Sequence, residues 1–317
     1  MTPIVWLPLI VPFLAVPAAR RVVAALEPGR AVRLLTATAV GLAACSVAAL
    51  LLLVVPGASY LPVVAVLGEL AKPLTVGPPS VAVAISVAAA GLLAWRGGAA
   101  AAAVLRLRAD LRRARQVAGG TGAELAVLPD DHPDAYALPG RPGQIVVTTG
   151  MLNALDPDER EALFAHERAH LRCRHHLLLA AMELAAVFHP ALPALKEPLG
   201  YALERAADEA AAQAVGDRGL VGRAIGRAAL AASTALTTSA GRRPRAALAA
   251  AAGPVPRRVA ALLGSREPGG APRTPLAGRF VAAALLTCVA LSGASAIGAA
   301  DSLHTSIEIA QGEIPHR

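Results

Sequence analysis

The sequence is short of aromatic residues, charged residues and cysteine. Aromatic side chains make up 3% of the 317 residues, charged side chains make up 16%, and there are three cysteines, Cys45, Cys173 and Cys288. So few aromatic rings exclude a stacking platform for single-stranded nucleic acid. An odd number of widely spaced cysteines excludes a disulfide framework and a CxxC zinc site. The 55% of hydrophobic residues must therefore lie in lipid or in an unusually large core.

Long uncharged runs favour lipid. A run near 20 residues matches the ~30 Å hydrocarbon layer at about 1.5 Å of helix rise per residue. Basic residues follow the first run rather than precede it, which indicates a retained anchor rather than a cleaved signal peptide. The sequence therefore predicts a mainly α integral membrane protein with about four transmembrane helices, at residues 3–19, 34–55, 76–95 and 280–300.

The distribution of basic residues predicts the orientation. The net charge is +8, and 23 of the 30 Lys and Arg residues lie between residues 96 and 276. The loop between the first two spans holds four arginines, whereas the next loop holds Lys72 alone. The positive-inside rule places both basic regions in the cytoplasm of a multi-pass cell-membrane protein. The basic residues are then topology signals and contacts for the lipid bilayer, and no nucleic-acid partner is expected.

The long basic segment contains one well-marked strand and helix. Residues 97–128 are expected to extend the third helix out of the membrane, and residues 129–143 are rich in turn formers. The β-branched run Gln144–Thr149 predicts a strand. Asp156, Pro157 and Glu159 have the spacing of an N-cap, a first helical residue and a capping-box partner. A long helical region is expected from there to about residue 216.

This helix carries the sequence His166-Glu167-Arg168-Ala169-His170, an HExxH motif. Residues four apart lie on one helical face, so both imidazoles can reach one metal ion. Glu167 stands beside the first ligand and can approach a metal-bound water. The alternative is a solvated helical face with ion pairs one turn apart.

A catalytic zinc needs a third protein ligand. Glu204 and Asp208 share a face of a later alanine-rich helix, so one carboxylate can bind zinc while the other accepts the N–H of a ligand histidine. His176 is a weaker alternative, because the HExxHxxGxxH pattern requires glycine where this chain has Cys173. An ordinary exposed acidic face is the third possibility.

These residues resemble those of gluzincin-type membrane zinc peptidases. The run from Ala135 to Leu152 is similar to the stretch that precedes HExxH in HtpX-like and CAAX-prenyl-protease-like enzymes, and Pro256-Arg257-Arg258-Val259 is a looser likeness. The resemblance implies a cytoplasmic α+β zincin-type catalytic domain, with a small sheet beside the HExxH helix. It implies one Zn²⁺ per chain, Glu167 as general base, Asp208 as the carboxylate that orients a ligand histidine, and the ligands His166, His170 and Glu204.

The topology resembles that of BlaR/MecR-type antibiotic-sensing transducers. Those proteins carry a large external sensor domain after the last span, whereas 17 residues follow Ala300 here. The leading hypothesis is a membrane-bound zinc metalloendopeptidase acting on protein or peptide substrates. A transducer that cleaves itself or a transcriptional repressor partner, and a non-catalytic membrane scaffold, are the alternatives.

The predicted organisation has five parts. They are a membrane domain at 1–96, a cytoplasmic metallopeptidase domain at 97–235, a flexible linker rich in Pro, Gly and Arg at 236–276, a fourth transmembrane helix at 277–300, and a short external tail at 301–317. The apolar stretch Leu177–Leu195 is expected to form an interior or membrane-surface helix. A fifth span there would separate Glu204 from His166. The strand at 144–149 is expected to bind an extended substrate along its edge.

Overall fold

A computed structural model describes residues 3–74, 78–119, 123–235, 255–264 and 276–312. Within these ranges, four helices are long and apolar enough to cross a membrane. The prediction of a mainly helical membrane protein with about four spans and a small sheet is confirmed. The four helices are α1 (Leu7–Ala25, preceded by a 3₁₀ turn at Pro3–Trp6), α2 (Pro28–Ala58), α4 (Pro79–Val117) and α11 (Leu276–Gln311), with the short α3 (Pro62–Leu67) between α2 and α4.

Neutral hydrogen bonds join the helices of this bundle. The Ser46 hydroxyl lies 2.9 Å from the carbonyl of Pro8 and 2.8 Å from that of Leu42, which links α2 to α1. The Ser86 hydroxyl accepts from the N–H of Gly57 at 2.8 Å and donates to the carbonyl of Leu53 at 2.7 Å. Ser86 of α4 thus stands between two backbone groups that would otherwise bond to each other within α2.

Helix α4 continues well past the predicted end of the third span. It runs without a break through Arg96 to Val117, so the predicted boundary between residues 96 and 97 falls inside one helix. The expected helical extension is observed as far as Val117, but Leu125–Leu128 forms a strand instead. The Arg96 guanidinium donates to the carbonyl of Val187 at 2.7 Å.

A three-stranded sheet lies beside the HExxH helix. It consists of β1 (Leu125–Leu128), β2 (Ala135–Leu138) and β3 (Gln144–Thr148) in the order β1-β3-β2. Strand β3 pairs parallel with β1 and antiparallel with β2, and every residue of β3 is buried. The predicted strand is therefore the central one, and β2 arises within the stretch expected to be turns.

Two capped helices follow the sheet. Helix α5 (Thr149–Ala154) begins where the Thr148 hydroxyl accepts from the N–H of Met151 at 3.2 Å. Helix α6 (Pro157–Arg172) has the predicted capping box, in which the N–H of Asp156 donates to the Glu159 carboxylate at 3.1 Å. The cap fixes the start of α6, and with it the direction in which the HExxH residues point.

The rest of the predicted long helical region is a hairpin. Helix α7 (His175–Phe188) and a 3₁₀ turn (Leu192–Leu195) lead into α8 (Lys196–Val215), which runs back. Leucines of α7 and α8 share one hydrophobic cluster with α1 and α2. At the turn, the His189 ring lies 3.0 Å from the carbonyl of Leu9. The apolar stretch is therefore an interior helix, and it is not a fifth span because α8 returns to the side where α7 begins.

Two further helices lie near the predicted linker. Helix α9 (Arg218–Ala235) packs against α10 (Val255–Leu263). Helix α10 replaces part of the flexible linker expected at 236–276, and the other parts of that segment up to residue 275 lie outside the described residues. Helix α11 continues to Gln311, so residues 301–311 extend the fourth helix instead of forming a tail.

Candidate metal centre

The HExxH motif lies on the buried face of α6. His166, Glu167 and His170 are 5%, 8% and 7% exposed. Helix α8 packs directly on α6 and brings Glu204 and Asp208 to the same place, at 3% and 0% exposure. The small Ala207 and Ala211 of α8 are fully buried, which permits this close approach. The expected alternatives of a solvated motif and an exposed acidic face are excluded by this burial.

Three side chains converge on one point. The Nε2 atoms of His166 and His170 are 3.1 Å apart. Nε2 of His166 lies 3.7 Å from one carboxylate oxygen of Glu204, and Nε2 of His170 lies 3.5 Å from the other. Among the described residues, His166, His170 and Glu204 form a group whose possible ligand atoms lie within 4.8 Å of one another.

This geometry fits a tetrahedral metal ion. Ligands at ~2.0–2.1 Å from zinc stand about 3.4 Å apart in tetrahedral geometry, close to the spacings of 3.1, 3.5 and 3.7 Å found here. Oε1 of Glu204 is buried and has no hydrogen-bond partner among the described residues. An orphaned buried carboxylate oxygen is costly unless a cation fills its lone pairs. The donor set of two imidazoles and a carboxylate is one that zinc accepts.

Asp208 holds the first histidine from the far side. Its Oδ1 lies 3.1 Å from Nδ1 of His166, the nitrogen that faces away from Glu204. Asp208 is itself held by Arg258 of α10, through Nε at 2.9 Å and Nη2 at 2.6 Å. Arg258 also lies 2.7 Å from Glu204 through Nη1. One buried guanidinium therefore fixes both carboxylates of α8.

When no metal is bound, the charges around the centre favour the protonated form of His166. Burial opposes protonation of His166, but Asp208 and Glu204 outweigh burial and raise its pKa to about 10. Burial, and next the charge on His166, lower the pKa of His170 well below its usual value. Burial would raise the pKa of Asp208, but Arg258 and His166 outweigh it and lower that pKa. Because a metal ligand must be a neutral imidazole, metal binding has to release the proton of His166.

The structure places His176 outside the group of possible ligand atoms, whereas its neighbour His175 contacts one member of that group, His170. Nδ1 of His175 lies 2.9 Å from Nδ1 of His170, and His175 is 3% exposed. Burial, and next the charges on His166 and His176, lower the pKa of His175 to about 4. His175 is therefore a neutral group in contact with a candidate ligand.

A cavity of about 310 Å³ opens over the centre. Its lining includes Glu167, His166 and His170 of α6 together with Tyr136 and Ala137 of strand β2. Strand β2 is an edge strand of the sheet, whereas β3 is paired on both sides. The expected edge pairing of a substrate with residues 144–149 is therefore wrong, because β3 has no free edge.

Comparison with known proteins agrees with this geometry. The family model of peptidase family M48 matches residues 104–191. That segment contains the sheet and the HExxH helix and ends before Glu204, Asp208 and Arg258. No solved structure matches the chain.

The curated relatives are HtpX homologues. A "Protease HtpX homolog" of Gemmatimonas aurantiaca is 42% identical over 79 residues, which cover 24% of this chain and 28% of the relative. A homologue of Acidiphilium cryptum is 36% identical over 113 residues (31% and 39%), and one of Campylobacter curvus is 35% identical over 91 residues (28% and 31%). The resemblance to HtpX-like membrane peptidases is confirmed over this part, and the chain spans about a third of the length of these relatives.

Sequence reasoning brought five of the assembled residues together and missed two. His166, Glu167, His170, Glu204 and Asp208 all lie in the centre, although their roles stay predictions. Arg258 was noted in a family-like run and given no role, since it lies 50 residues beyond Asp208 in a stretch rich in Pro, Gly and Arg. His175 was not recognised as a partner of His170, because the turn that brings the two rings together is made by Arg174, a residue type that rarely adopts the left-handed conformation.

Proposed function

We propose that this chain is a membrane-bound zinc metalloendopeptidase that hydrolyses protein or peptide substrates at the cytoplasmic face. The proposal rests above all on the buried convergence of His166, His170 and Glu204 beside Glu167. The M48 match and the names of the relatives, which are proteases, support the same activity. One zinc ion per chain would be held by these three side chains.

The charges of the centre support a divalent ion. When ionised, Glu167, Glu204 and Asp208 carry three negative charges in a buried space, and Arg258 supplies one positive charge. Buried charge is expensive unless it is balanced. A bound ion of charge +2 would neutralise the remainder while both histidines stay neutral.

The chemistry follows from this arrangement. Bound zinc would supply Lewis acidity and lower the pKa of a water ligand towards ~7. Glu167 lines the cavity next to the ligands, where it takes the proton of the attacking water and then delivers it to the departing amine. Asp208 keeps the proton of His166 on Nδ1, so that Nε2 presents its lone pair.

The edge strand supports an extended substrate. Tyr136 and Ala137 of β2 line the same cavity as the HExxH residues, and in the described sheet β2 pairs along one edge with β3. An extended peptide that binds along β2 in this cavity would be held by backbone hydrogen bonds and would lie across Glu167.

The packing of α8 on the helical bundle supports a metal centre on the cytoplasmic side of the membrane. Leu199 and Leu203 of α8 share a hydrophobic cluster with Val32 and Leu35 near the start of α2. Four arginines flank the short connection between the two helices: Arg20 and Arg21 lie in the last turns of α1, and Arg30 and Arg33 lie in the first turns of α2. Because α8 also carries Glu204, the metal centre lies at the basic end of the bundle, which the positive-inside rule assigns to the cytoplasm.

Metal analysis of three variants tests the proposal. Purified wild type should hold about one zinc per chain. Glu204→Ala should lose most of it, whereas Glu167→Gln should keep zinc and lose peptide hydrolysis by at least about 100-fold. Glu197→Ala is the matched control, because Glu197 is an exposed acid on the same helix. Unchanged zinc in Glu204→Ala would remove Glu204 from the ligand set, and persistent hydrolysis by Glu167→Gln would remove Glu167 from its role.

The transducer and scaffold alternatives gain no support from the described residues. A scaffold without activity would not need five buried ionisable side chains at a cavity. A transcriptional repressor as partner stays a prediction from the likeness in topology. A membrane peptidase is the function that the assembled groups favour.

A further inference from the structure

The turn between α6 and α7 is unusually tight and carries a strained residue. Helix α6 ends at Arg172, Cys173 follows, and α7 already begins at His175. Between them Arg174 adopts the left-handed conformation, with φ 51° and ψ 41°. A residue with a Cβ adopts this conformation at a cost of roughly 1–2 kcal/mol. This backbone conformation places His175, the first residue of α7, against the last turn of α6.

This turn positions the side chain of His175 next to His170. Its Nδ1 lies 2.9 Å from Nδ1 of His170, and the two rings are almost perpendicular, with centroids 4.8 Å apart and an interplanar angle of 87°. Two ring nitrogens at this distance form a hydrogen bond when one carries a proton and the other offers a lone pair.

The metal site decides which nitrogen donates. Nε2 of His170 faces Nε2 of His166 and the Glu204 carboxylate, so its lone pair is the one available to a metal ion. The proton of a neutral His170 must then be on Nδ1, and Nδ1 of His175 accepts it. His175 is neutral in turn, with its own proton on Nε2.

We infer that His175 is a positioning residue for His170, in the way that Asp208 is for His166. The inference rests on the proposed metal site, and it adds a neutral acceptor that fixes the tautomer and the ring orientation of the second ligand. The two ligands are thus oriented by different chemistry, a carboxylate for His166 and an imidazole for His170.

The neutral partner also suits the charge of the site. Glu167, Glu204 and Asp208 together with Arg258 already match a divalent ion. A second orienting carboxylate next to His170 would add an unbalanced buried charge. An imidazole supplies the acceptor without adding charge.

Two substitutions separate the hydrogen bond from packing. His175→Phe keeps a ring of similar size and removes the acceptor, whereas His175→Asn offers an oxygen near the position of Nδ1. We expect zinc affinity, measured on the full chain in detergent by competition with a chromophoric chelator, to fall about 10–100-fold in His175→Phe. His175→Asn should stay near wild type. The visible absorption spectrum of the cobalt-substituted protein should change in His175→Phe and stay close to wild type in His175→Asn.

His176→Phe is the matched control, because His176 is adjacent and lies outside the ligand group. Its zinc affinity should equal that of wild type, and a loss would show that His176 is a ligand and overturn the assignment. Wild-type affinity in His175→Phe, or an equal loss in both His175 variants, would overturn the role of His175. If His175→Phe does not fold, His175→Asn must bind zinc at least about 10-fold more tightly than His175→Ala. Failure of wild type to bind zinc would instead overturn the proposed function.

Discussion

The helical bundle and the metal centre are both buried, but they are held together by opposite means. In the bundle, serine hydroxyls such as those of Ser46 and Ser86 bond to backbone groups, and small residues set the spacing of the helices. At the metal centre, charged groups bond to each other across α6, α8 and α10. A neutral contact can be lost at modest cost, whereas each charge at the centre depends on its partner. The difference predicts where the chain tolerates substitution.

The largest effect is expected from Arg258→Met. This change leaves Asp208 and Glu204 without their shared cation in a buried space, and breaking a buried ion pair costs roughly 3–5 kcal/mol. The free energy of unfolding of the metal-free protein in detergent measures it. Arg257→Met is the matched control, since Arg257 is an exposed arginine on the same helix. If both substitutions lowered the free energy of unfolding by the same small amount, the claim that charges at the metal centre depend on their partners would be wrong.

The next largest effect is a pH dependence of the free energy of unfolding that arises from His166 at the metal centre. The pKa of His166 is raised to about 10 in the folded, metal-free protein, against ~6.5 in the unfolded chain. Its stabilising contribution is therefore complete below pH ~6.5 and is lost as the pH rises towards ~10.

Thermal unfolding between these pH values should show this loss in the metal-free protein. In the presence of zinc the slope should be much smaller, because the imidazole then stays unprotonated over the whole window. A metal-free protein whose stability does not fall in this range would contradict the electrostatic account of His166.

The smallest of these effects tests the bundle. A Cβ at Gly57 would overlap Cβ of Ser86 and would lie 3.1 Å from Cα of Val83. Gly57→Ala must therefore push α2 and α4 apart, at a cost of roughly 1–3 kcal/mol. Gly91→Ala in α4 is the control, because a Cβ there meets no atom of the described residues within 4 Å. Equal stability of the two variants would show that the helices are not closely packed at Gly57.

Much of the architecture could be predicted from local patterns. The four long helices follow from uncharged runs, and the placement of His166, Glu167 and His170 follows from the period of one capped helix. Glu204 and Asp208 were recognisable because two acids one turn apart stand in an alanine-rich helix. In each case the relevant residues lie within a few turns of one another.

The features that escaped prediction depend on contacts between distant segments. Strands β1 and β2 have four residues each, too few for a clear alternation, so the central position of β3 was not visible. Arg258 pairs with a carboxylate 50 residues away. The backbone turn at Arg174 is made by a residue type that rarely adopts it, so nothing in the sequence marked His175 as the partner of His170.

The contact of Arg96 with α7 has a mechanical consequence. Its guanidinium donates to the carbonyl of Val187 at one end of α7 and lies 4.6 Å from the centre of the Trp95 ring. The other end of the same 14-residue helix begins with His175, which touches His170. Helix α7 thus connects a membrane-spanning helix to one imidazole of the candidate metal centre. Displacement of α4 would be transmitted along α7 to that centre.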